Sequence, residues 1–241
     1  DIWGDTVNTA SRMESSGEAG KVNISDVTHN LVKDYILCDY RGKLPVKYKG
    51  NIDMYFVKGL RPELSINLAG IPNRKFFLKM QLLKLQDLED HVFNKLEEEQ
   101  PQGMYFHNVE YARHVYQHSD ILAKAENLDL EETLLIRTSA LLLFLGYTIG
   151  YFGSEKLSSQ LALELLGEFG YSEKQTSTIS NLILATKMPA EPKNLLEKVI
   201  IDTSLEYLGR ADYIKIYKLL FLEYNEYNKP VKTSEWKEMQ I

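Results

Sequence analysis

Apolar positions over the last two-thirds of the chain recur at helical spacing. From Phe76 to Glu99 the apolar side chains fall mostly three or four residues apart, which predicts a long amphipathic helix that ends before Pro101. Ser172 followed by Gln175 is typical of a capping box at the start of another helix. The same spacing predicts further helices near residues 105–125, 130–147, 155–168, 173–187 and 193–225.

The first 60 residues have a mixed pattern. Helices are predicted at residues 7–13 and 26–33, and strands at 21–24, 40–49 and 54–58. Ser25 is a good N-cap for the second helix, and residues 50–53 are predicted to join the last two strands. A β-α-β-β unit of this length buries too little apolar surface to form a good hydrophobic core alone. We therefore interpret it as the last part of an α/β or α+β domain.

Composition and charge narrow the classes of function. Residues 61–73 contain two prolines and a glycine, which is typical of a connector. The chain has 28 basic and 34 acidic residues, a net charge of −6 that lies wholly in residues 73–241. This acidic balance argues against a general nucleic-acid-binding surface. The single cysteine, Cys38, excludes an intrachain disulfide and a thiolate zinc site.

No membrane segment is predicted in this chain. The longest apolar run, residues 140–153, falls short of the roughly 20 residues that a membrane helix needs. The chain begins Asp-Ile-Trp-Gly, with neither an initiator Met nor a basic start, so we expect a piece of a longer protein without a signal peptide here. We expect a cytoplasmic location for this chain. Anchoring of the longer parent protein to a membrane through its N-terminal part stays an open alternative.

Residues 1–15 read DIWGDTVNTASRMES. This run closely resembles the signature near the end of the class III nucleotidyl cyclase (adenylate/guanylate cyclase) catalytic domain. The resemblance continues through residues 20–25, 46–50 and 54–57, and so covers about a quarter of the chain. It implies that the first 60 residues are a partial α/β, ferredoxin-like fragment of that domain.

Charge stabilisation is the chemistry that this family requires. Cyclisation of ATP builds negative charge on the α-phosphate and on the leaving pyrophosphate, which fixed cations and hydrogen-bond donors offset. Asn8 and Arg12 are four apart and share one face of a helix. The resemblance implies that Arg12 stabilises the transition state and that Asn8 orients the nucleotide near its ribose. The alternative to this catalytic role is that Arg12 forms an ion pair on the protein surface.

Two further residues are assigned through the resemblance alone. Lys47 matches a lysine that contacts the terminal phosphates, although a solvated basic strand would also explain it. Asp1 stands where adenylate cyclases carry an aspartate that accepts from the adenine amino group, which favours ATP over GTP. The family's two metal-binding aspartates and a second adenine-specifying lysine come from earlier in its sequence. We therefore expect Mg²⁺ or Mn²⁺ to serve the parent protein, and this chain alone to make no cyclic AMP.

The helical region resembles a second family. Residues 104–213 are similar to the HD domain of metal-dependent phosphohydrolases at the runs YFHN (105–108), ALLLFLGY (140–147), SE (154–155), ATK (185–187) and DTSLEYLGR (202–210). Leu143 and Phe144 stand where that family has its His-Asp pair. Other ligand positions hold Tyr111, Ser154 and Ser204, while His107 and Asp202 remain.

Two remaining ligands are too few for a catalytic divalent site, which needs about three or four. We therefore predict a degenerate, non-hydrolytic HD-like domain without a bound metal. His107 is expected to be hydrogen-bonded and partly buried, and Asp202 to cap or anchor a helix through Arg210 or Lys187. His114 and His118 are four apart on one helix, so a metal pair there stays open.

The predicted fold class is mainly α: an α-helical HD-like domain preceded by a partial α/β cyclase fragment. The expected divisions are residues 1–60 (cyclase fragment), 61–103 (linker and helix), 104–228 (HD-like domain) and 229–241 (tail). The favoured function is the C-terminal region of an adenylate cyclase that acts as a homodimer, with the helical part as a regulatory or dimerisation module. Two alternatives stay open. One is an HD-type nucleotide phosphohydrolase or phosphodiesterase; the other is a small-molecule sensor lined by Phe144, Tyr147, Tyr151 and Phe152.

Overall fold

The computed structural model describes residues 5–46 and 50–239. The chain divides into two compact units, Asp1–Phe77 and Leu78–Ile241. Most of the described residues are helical, and a small sheet lies near the amino end, in agreement with the mainly α fold class. No described helix has the length and apolar content that a membrane span requires.

The first unit is a three-stranded antiparallel sheet with two helices. The elements are α1 (Asp5–Ser15), β1 (Val22–Ser25), α2 (Asp26–Val32), β2 (Ile36–Val46) and β3 (Gly50–Leu60). The strand order is β1-β3-β2. The predicted cap of α2 is confirmed, because the Ser25 hydroxyl accepts the backbone N–H of Thr28 at 3.3 Å.

The predicted connection at residues 50–53 is wrong. These residues belong to β3, where Asn51 pairs with Pro45 and Asp53 pairs with Lys43. Gly-Asn-Ile-Asp has the local composition of a turn, but the ladder with β2 outweighs that local preference. Register shifts in β2, one of them next to Gly42 with φ of 113°, allow strands of 11 residues each to stay paired.

The predicted connector is folded. A 3-10 turn (Pro62–Leu64) leads into two short strands, β4 (Ser65–Ile66) and β5 (Ile71–Pro72), which pair antiparallel. Leu64 is fully buried, and the Ser65 hydroxyl accepts the backbone N–H of Gly70 at 2.8 Å. The prolines and the glycine therefore shape a small hairpin.

The second unit is helical. Helix α3 (Arg74–Glu99) begins in the first unit and continues into the second, where it is followed by α4 (Val109–Ala125), α5 (Leu130–Leu142), α6 (Ser154–Leu165), α7 (Glu173–Ala185), α8 (Leu195–Ser204), α9 (Tyr213–Tyr227) and α10 (Thr233–Met239). The predicted amphipathic character of α3 is confirmed by its buried face, which includes Leu85, Leu88, Val92, Phe93 and Leu96. The capping box of Ser172 and Gln175 at α7 is confirmed as well.

Residues 193–225 form two helices rather than one. Between α8 and α9 a 3-10 turn at Glu206–Gly209 is followed by Arg210 in an extended conformation. The expected tail also contains a helix, α10, whose Trp236 is only 3% exposed. The indole lies against three aromatic side chains of α9: Tyr217, Phe221 and Tyr224.

Candidate functional site

Asn8 and Arg12 both lie on α1, which places them one helical turn apart on a common face. Asn8 is exposed, and Arg12 is half-buried. Among the side chains that the structure describes, no carboxylate forms an ion pair with Arg12. A guanidinium in this setting can offer its planar set of N–H donors to a phosphate. Asp1 and Lys47 lie outside the described residues.

The opposite face of α1 borders an open groove of about 1010 Å³. Thr6, Ala10 and Met13 line it from α1, and β1 and the start of α2 supply other walls. At 100° per residue these three positions point away from Asn8 and Arg12. Helix α1 therefore has one face on the groove and another that presents the candidate nucleotide-binding residues.

The carboxyl end of α1 is fixed to the sheet through backbone carbonyl groups. Asn23 on β1 donates from Nδ2 to the carbonyl oxygen of Met13 at 2.9 Å. Arg41 on β2 donates from Nη1 to the carbonyl oxygen of Ser16. The Arg41 guanidinium also lies over the Phe56 ring, 4.2 Å from its centroid. Sequence reasoning missed both contacts, since neither residue is close to α1 along the chain.

Comparison with known proteins finds matches for the amino-terminal part of the chain. Residues 1–59 match the family model of the adenylate and guanylate cyclase catalytic domain. The receptor-type guanylate cyclase gcy-8 of Caenorhabditis elegans is 46% identical over 65 residues, which is 26% of this chain and 6% of that protein. Adenylyl cyclase X E of Drosophila melanogaster is 45% identical over 58 residues, 24% of this chain and 5% of that protein.

A third relative is the germination-specific adenylate cyclase of Dictyostelium discoideum, 43% identical over 60 residues, or 24% of this chain and 7% of that protein. The chain spans less than a tenth of the length of these three relatives. No solved structure matches the chain. The matched region is residues 1–59, and both adenylate and guanylate cyclases are among its relatives.

The second candidate site lies in the helical unit, around His107. Its ring nitrogen Nδ1 bonds to the carboxylate of Glu223 on α9. The other Glu223 oxygen accepts the backbone N–H groups of Phe106 at 2.7 Å and His107 at 2.9 Å. The Glu223 side chain is fully buried, and that of His107 is 19% exposed. His107 is thus hydrogen-bonded and partly buried, as predicted, but its partner was missed.

A sequence signal for Glu223 does exist. The buried face of α9 continues through Ile216, Leu220 and Tyr227, at helical spacing on either side of residue 223. A carboxylate at such a position requires buried partners, because an unpaired buried charge is costly. The partners themselves could not be identified from sequence, since they lie 116 and 117 residues earlier.

Aromatic rings fill the space around His107. Its ring stacks on Tyr147 with centroids 4.5 Å apart, and Phe144 lies 5.8 Å away. Tyr111 meets Phe144 at 5.6 Å and donates its hydroxyl hydrogen to the carbonyl oxygen of Ser204 at 3.1 Å. Leu143, Phe144 and Tyr111 are each less than 9% exposed. These positions form part of the core.

Burial controls the ionisation of two of these rings. It raises the pKa of both Tyr111 and Tyr147, since a phenolate is poorly solvated there. A hydrogen bond with Ser154 opposes this rise at Tyr147. Both hydroxyls therefore stay neutral at physiological pH. Of the four residues considered for a sensor pocket, Phe144 and Tyr147 are buried, Tyr151 is half-buried, and Phe152 is exposed.

Asp202 lies on the exposed side of α8. Of the two partners expected for Asp202, Arg210 or Lys187, Arg210 instead binds Asp212 through Nε at 2.8 Å and Nη2 at 2.9 Å and also pairs with Glu206. A bidentate carboxylate two residues away gives better geometry than one on the preceding helix. In the part of the chain that the structure describes, no three His, Cys, Asp or Glu side chains are grouped to hold a metal.

Proposed function

We propose that this chain is the C-terminal region of an adenylate cyclase that converts ATP to cyclic AMP and pyrophosphate. The observation that supports this most strongly is the match of residues 1–59 to the cyclase catalytic domain, together with the placement of Asn8 and Arg12 on one face of α1. In the proposal Arg12 donates to the phosphate oxygens as charge develops, and Asn8 orients the ribose.

The proposal also assigns two residues outside the described part. Lys47 contacts the terminal phosphates, and Asp1 accepts from the adenine amino group, which selects ATP. Magnesium or manganese supplies charge compensation in the parent protein. Its ligands are proposed to lie in segments outside this chain, because the family resemblance places the two metal-binding aspartates earlier in the sequence. The chain alone is accordingly proposed to be inactive.

The helical unit is proposed to be a degenerate HD-like module with a regulatory or dimer-forming role. Support comes from the aromatic and aliphatic side chains at its former ligand positions, Tyr111, Leu143 and Phe144, all of which are buried. A hard cation keeps part of its hydration, which such a packed site does not accommodate. A homodimer is proposed because the family resemblance implies an active site built between two catalytic halves. The relatives include a receptor-type cyclase. We therefore also propose that the longer parent protein is anchored to a membrane.

The cyclase assignment is tested on the full-length protein that contains this chain. With ATP and Mg²⁺ or Mn²⁺, we expect cyclic AMP, and we expect Arg12→Ala to lower kcat by about 10²-fold or more, the usual effect of losing one transition-state donor. The matched control is Arg113→Ala, which removes a surface arginine paired with Glu97. Absence of turnover in the full-length wild type, or equal effects of the two substitutions, would contradict the assignment.

The isolated chain provides two further tests. Sustained formation of cyclic AMP by the 241-residue chain would overturn its proposed inactivity. The HD proposal predicts less than one Fe, Mn or Zn per chain by elemental analysis after mild purification. It also predicts no turnover of cyclic nucleotides or nucleoside phosphates with added Mn²⁺ or Fe²⁺. Turnover that His107→Ala abolishes would instead favour a phosphohydrolase.

A further inference from the structure

The position of Arg12 depends on what holds α1 in place. Helix α1 has only 11 residues, and a helix this short is marginal in water without tertiary contacts. The last four carbonyl groups of any helix have no partner inside it. Whatever binds those carbonyls therefore fixes the last turn, to which Arg12 belongs.

Two side chains of the sheet bind carbonyl groups at the end of α1. Asn23 donates to Met13, the residue after Arg12, at 2.9 Å. Arg41 donates to the carbonyl oxygen of Ser16, and the N–H of Ser16 in turn donates to the carbonyl oxygen of Arg12 at 3.0 Å. One residue thus separates the Arg41 guanidinium from the backbone of Arg12.

The Arg41 side chain is itself held from three directions. One guanidinium nitrogen bonds to Ser16, another lies 3.6 Å from a Glu18 carboxylate oxygen, and the plane covers the Phe56 ring at 4.2 Å. Its side chain is only 20% exposed, so the guanidinium is largely withdrawn from water. A planar fork with several fixed N–H groups meets these demands together, whereas a lysine ammonium cannot.

We propose that Arg41 is a positioning residue for the cyclase reaction: it fixes the carboxyl end of α1 and so holds the Arg12 guanidinium where transition-state charge develops. Asn23 does the same through its hydrogen bond to the carbonyl oxygen of Met13. This inference rests on the proposed function of Arg12. In this proposal Arg41 acts through the backbone of α1 and not through a contact with the nucleotide.

The first test needs no activity. In the 241-residue chain, Arg41→Met removes the donor to Ser16, and we expect amide hydrogen exchange in the last turn of α1 to accelerate by about tenfold. Lys21→Met is the matched control, since Lys21 also lies over Phe56, at 4.7 Å, and pairs with Glu18, but bonds to no α1 carbonyl in the described structure. Unchanged exchange in Arg41→Met, or an equal change in Lys21→Met, would overturn the proposal.

The second test uses steady-state kinetics of the full-length protein. Displacing a transition-state group affects kcat more than KM, and a misplacement of about 1 Å can cost 10²-fold. We expect Arg41→Met to lower kcat by about 10- to 100-fold while the KM for ATP stays within about twofold. Arg41→Lys, which keeps one donor, should restore part of kcat, and Lys21→Met should retain wild-type kcat.

The two tests separate the possible failures. A full-length wild type that makes no cyclic AMP rejects the proposed function, while the exchange measurement still decides whether Arg41 holds α1. Faster exchange with unchanged kcat rejects the catalytic consequence but leaves the cyclase assignment intact. A rise in KM that matches the fall in kcat would also reject positioning, because it would indicate lost binding or lost folding.

Discussion

The carboxylate of Glu223 bonds to His107 twice, once through the imidazole Nδ1 and once through the backbone N–H at 2.9 Å. With the N–H of Phe106 it joins α9 to the segment that precedes α4. We expect Glu223→Ala to destabilise the helical unit by about 3–5 kcal/mol, because it leaves buried donors without an acceptor.

Glu223→Gln keeps the shape and one acceptor oxygen, so we expect a loss of only about 1 kcal/mol. Glu226→Gln, on the exposed side of the same helix, is the control and should stay within about 0.5 kcal/mol. Urea unfolding followed by circular dichroism measures all three. Equal losses for the Ala and Gln variants of Glu223 would contradict the requirement for an acceptor.

Gly146 lies where α6 approaches the turn after α5. A Cβ at this position would be 2.2 Å from the carbonyl oxygen of Ser154 and 2.7 Å from the backbone nitrogen of Ser158. Backbone atoms cannot move aside cheaply, so we expect Gly146→Ala to cost about 3 kcal/mol or more. Gly150→Ala is the control, because its nearest neighbour is a Leu157 methyl at 3.7 Å. The control should leave the thermal midpoint unchanged or slightly raised, and a similar midpoint in both variants would refute the clash.

Burial raises the pKa of Tyr171 to about 12, above its ordinary value of 10.0, although a hydrogen bond to Thr138 opposes the rise. The unfolded chain loses this proton near pH 10 and the folded chain near pH 12, so the stabilising contribution is complete below pH 10 and disappears as pH rises to 12. Between pH 10 and 12, ionisation of Tyr171 lowers the free energy of unfolding by up to about 1.4 kcal/mol per pH unit.

Tyr171→Phe should therefore show a shallower fall in the free energy of unfolding between pH 10 and 12 than the wild type. Tyr105→Phe, which removes an exposed hydroxyl, is the control. Unfolding in urea at several pH values provides the comparison. A Tyr171→Phe slope identical to that of the wild type would show that this hydroxyl ionises equally well in both states.

Trp236 secures the last helix to α9 through Tyr217, Phe221 and Tyr224. Replacing a buried Trp by Ala typically costs about 3–5 kcal/mol. We expect Trp236→Ala to release α10, so that trypsin cuts after Lys232 at least about tenfold faster. Trp236→Phe should resist cleavage better, since the indole N–H has no partner among the described residues. The exposed Ser234→Ala is the control, and faster cleavage there would show that the assay does not report on Trp236.

Local signals in the sequence predicted local structure well. The caps at Ser25 and Ser172 and the buried face of α3 follow from patterns within a few residues, and the structure confirms them. Cross-strand pairing could not be predicted in the same way. Residues 50–53 have the composition of a turn, and only the ladder with β2 shows that they continue a strand.

In the candidate site, too, local features could be predicted from the sequence and long-range contacts could not. The shared face of Asn8 and Arg12 was predictable from their spacing, because helix geometry alone determines it. The partners of Arg41 and Glu223 were not, since each side chain acts on a segment far away in the chain: Arg41 on Ser16, and Glu223 on Phe106 and His107. Such pairings depend on tertiary packing, so the burial of Glu223 could be inferred from its spacing on α9 while its partners could not.

The strand order β1-β3-β2 leaves one side of β2 without a neighbouring strand among residues 5–46 and 50–239. An edge strand of 11 residues can promote fibril growth, because its unpaired N–H and C=O groups can form hydrogen bonds with a strand of another chain. This strand contains Lys43 and Pro45 and is bent by two register shifts. The charge of Lys43, the missing backbone N–H of Pro45 and the bend all hinder the addition of another strand. These features of β2 therefore oppose self-association.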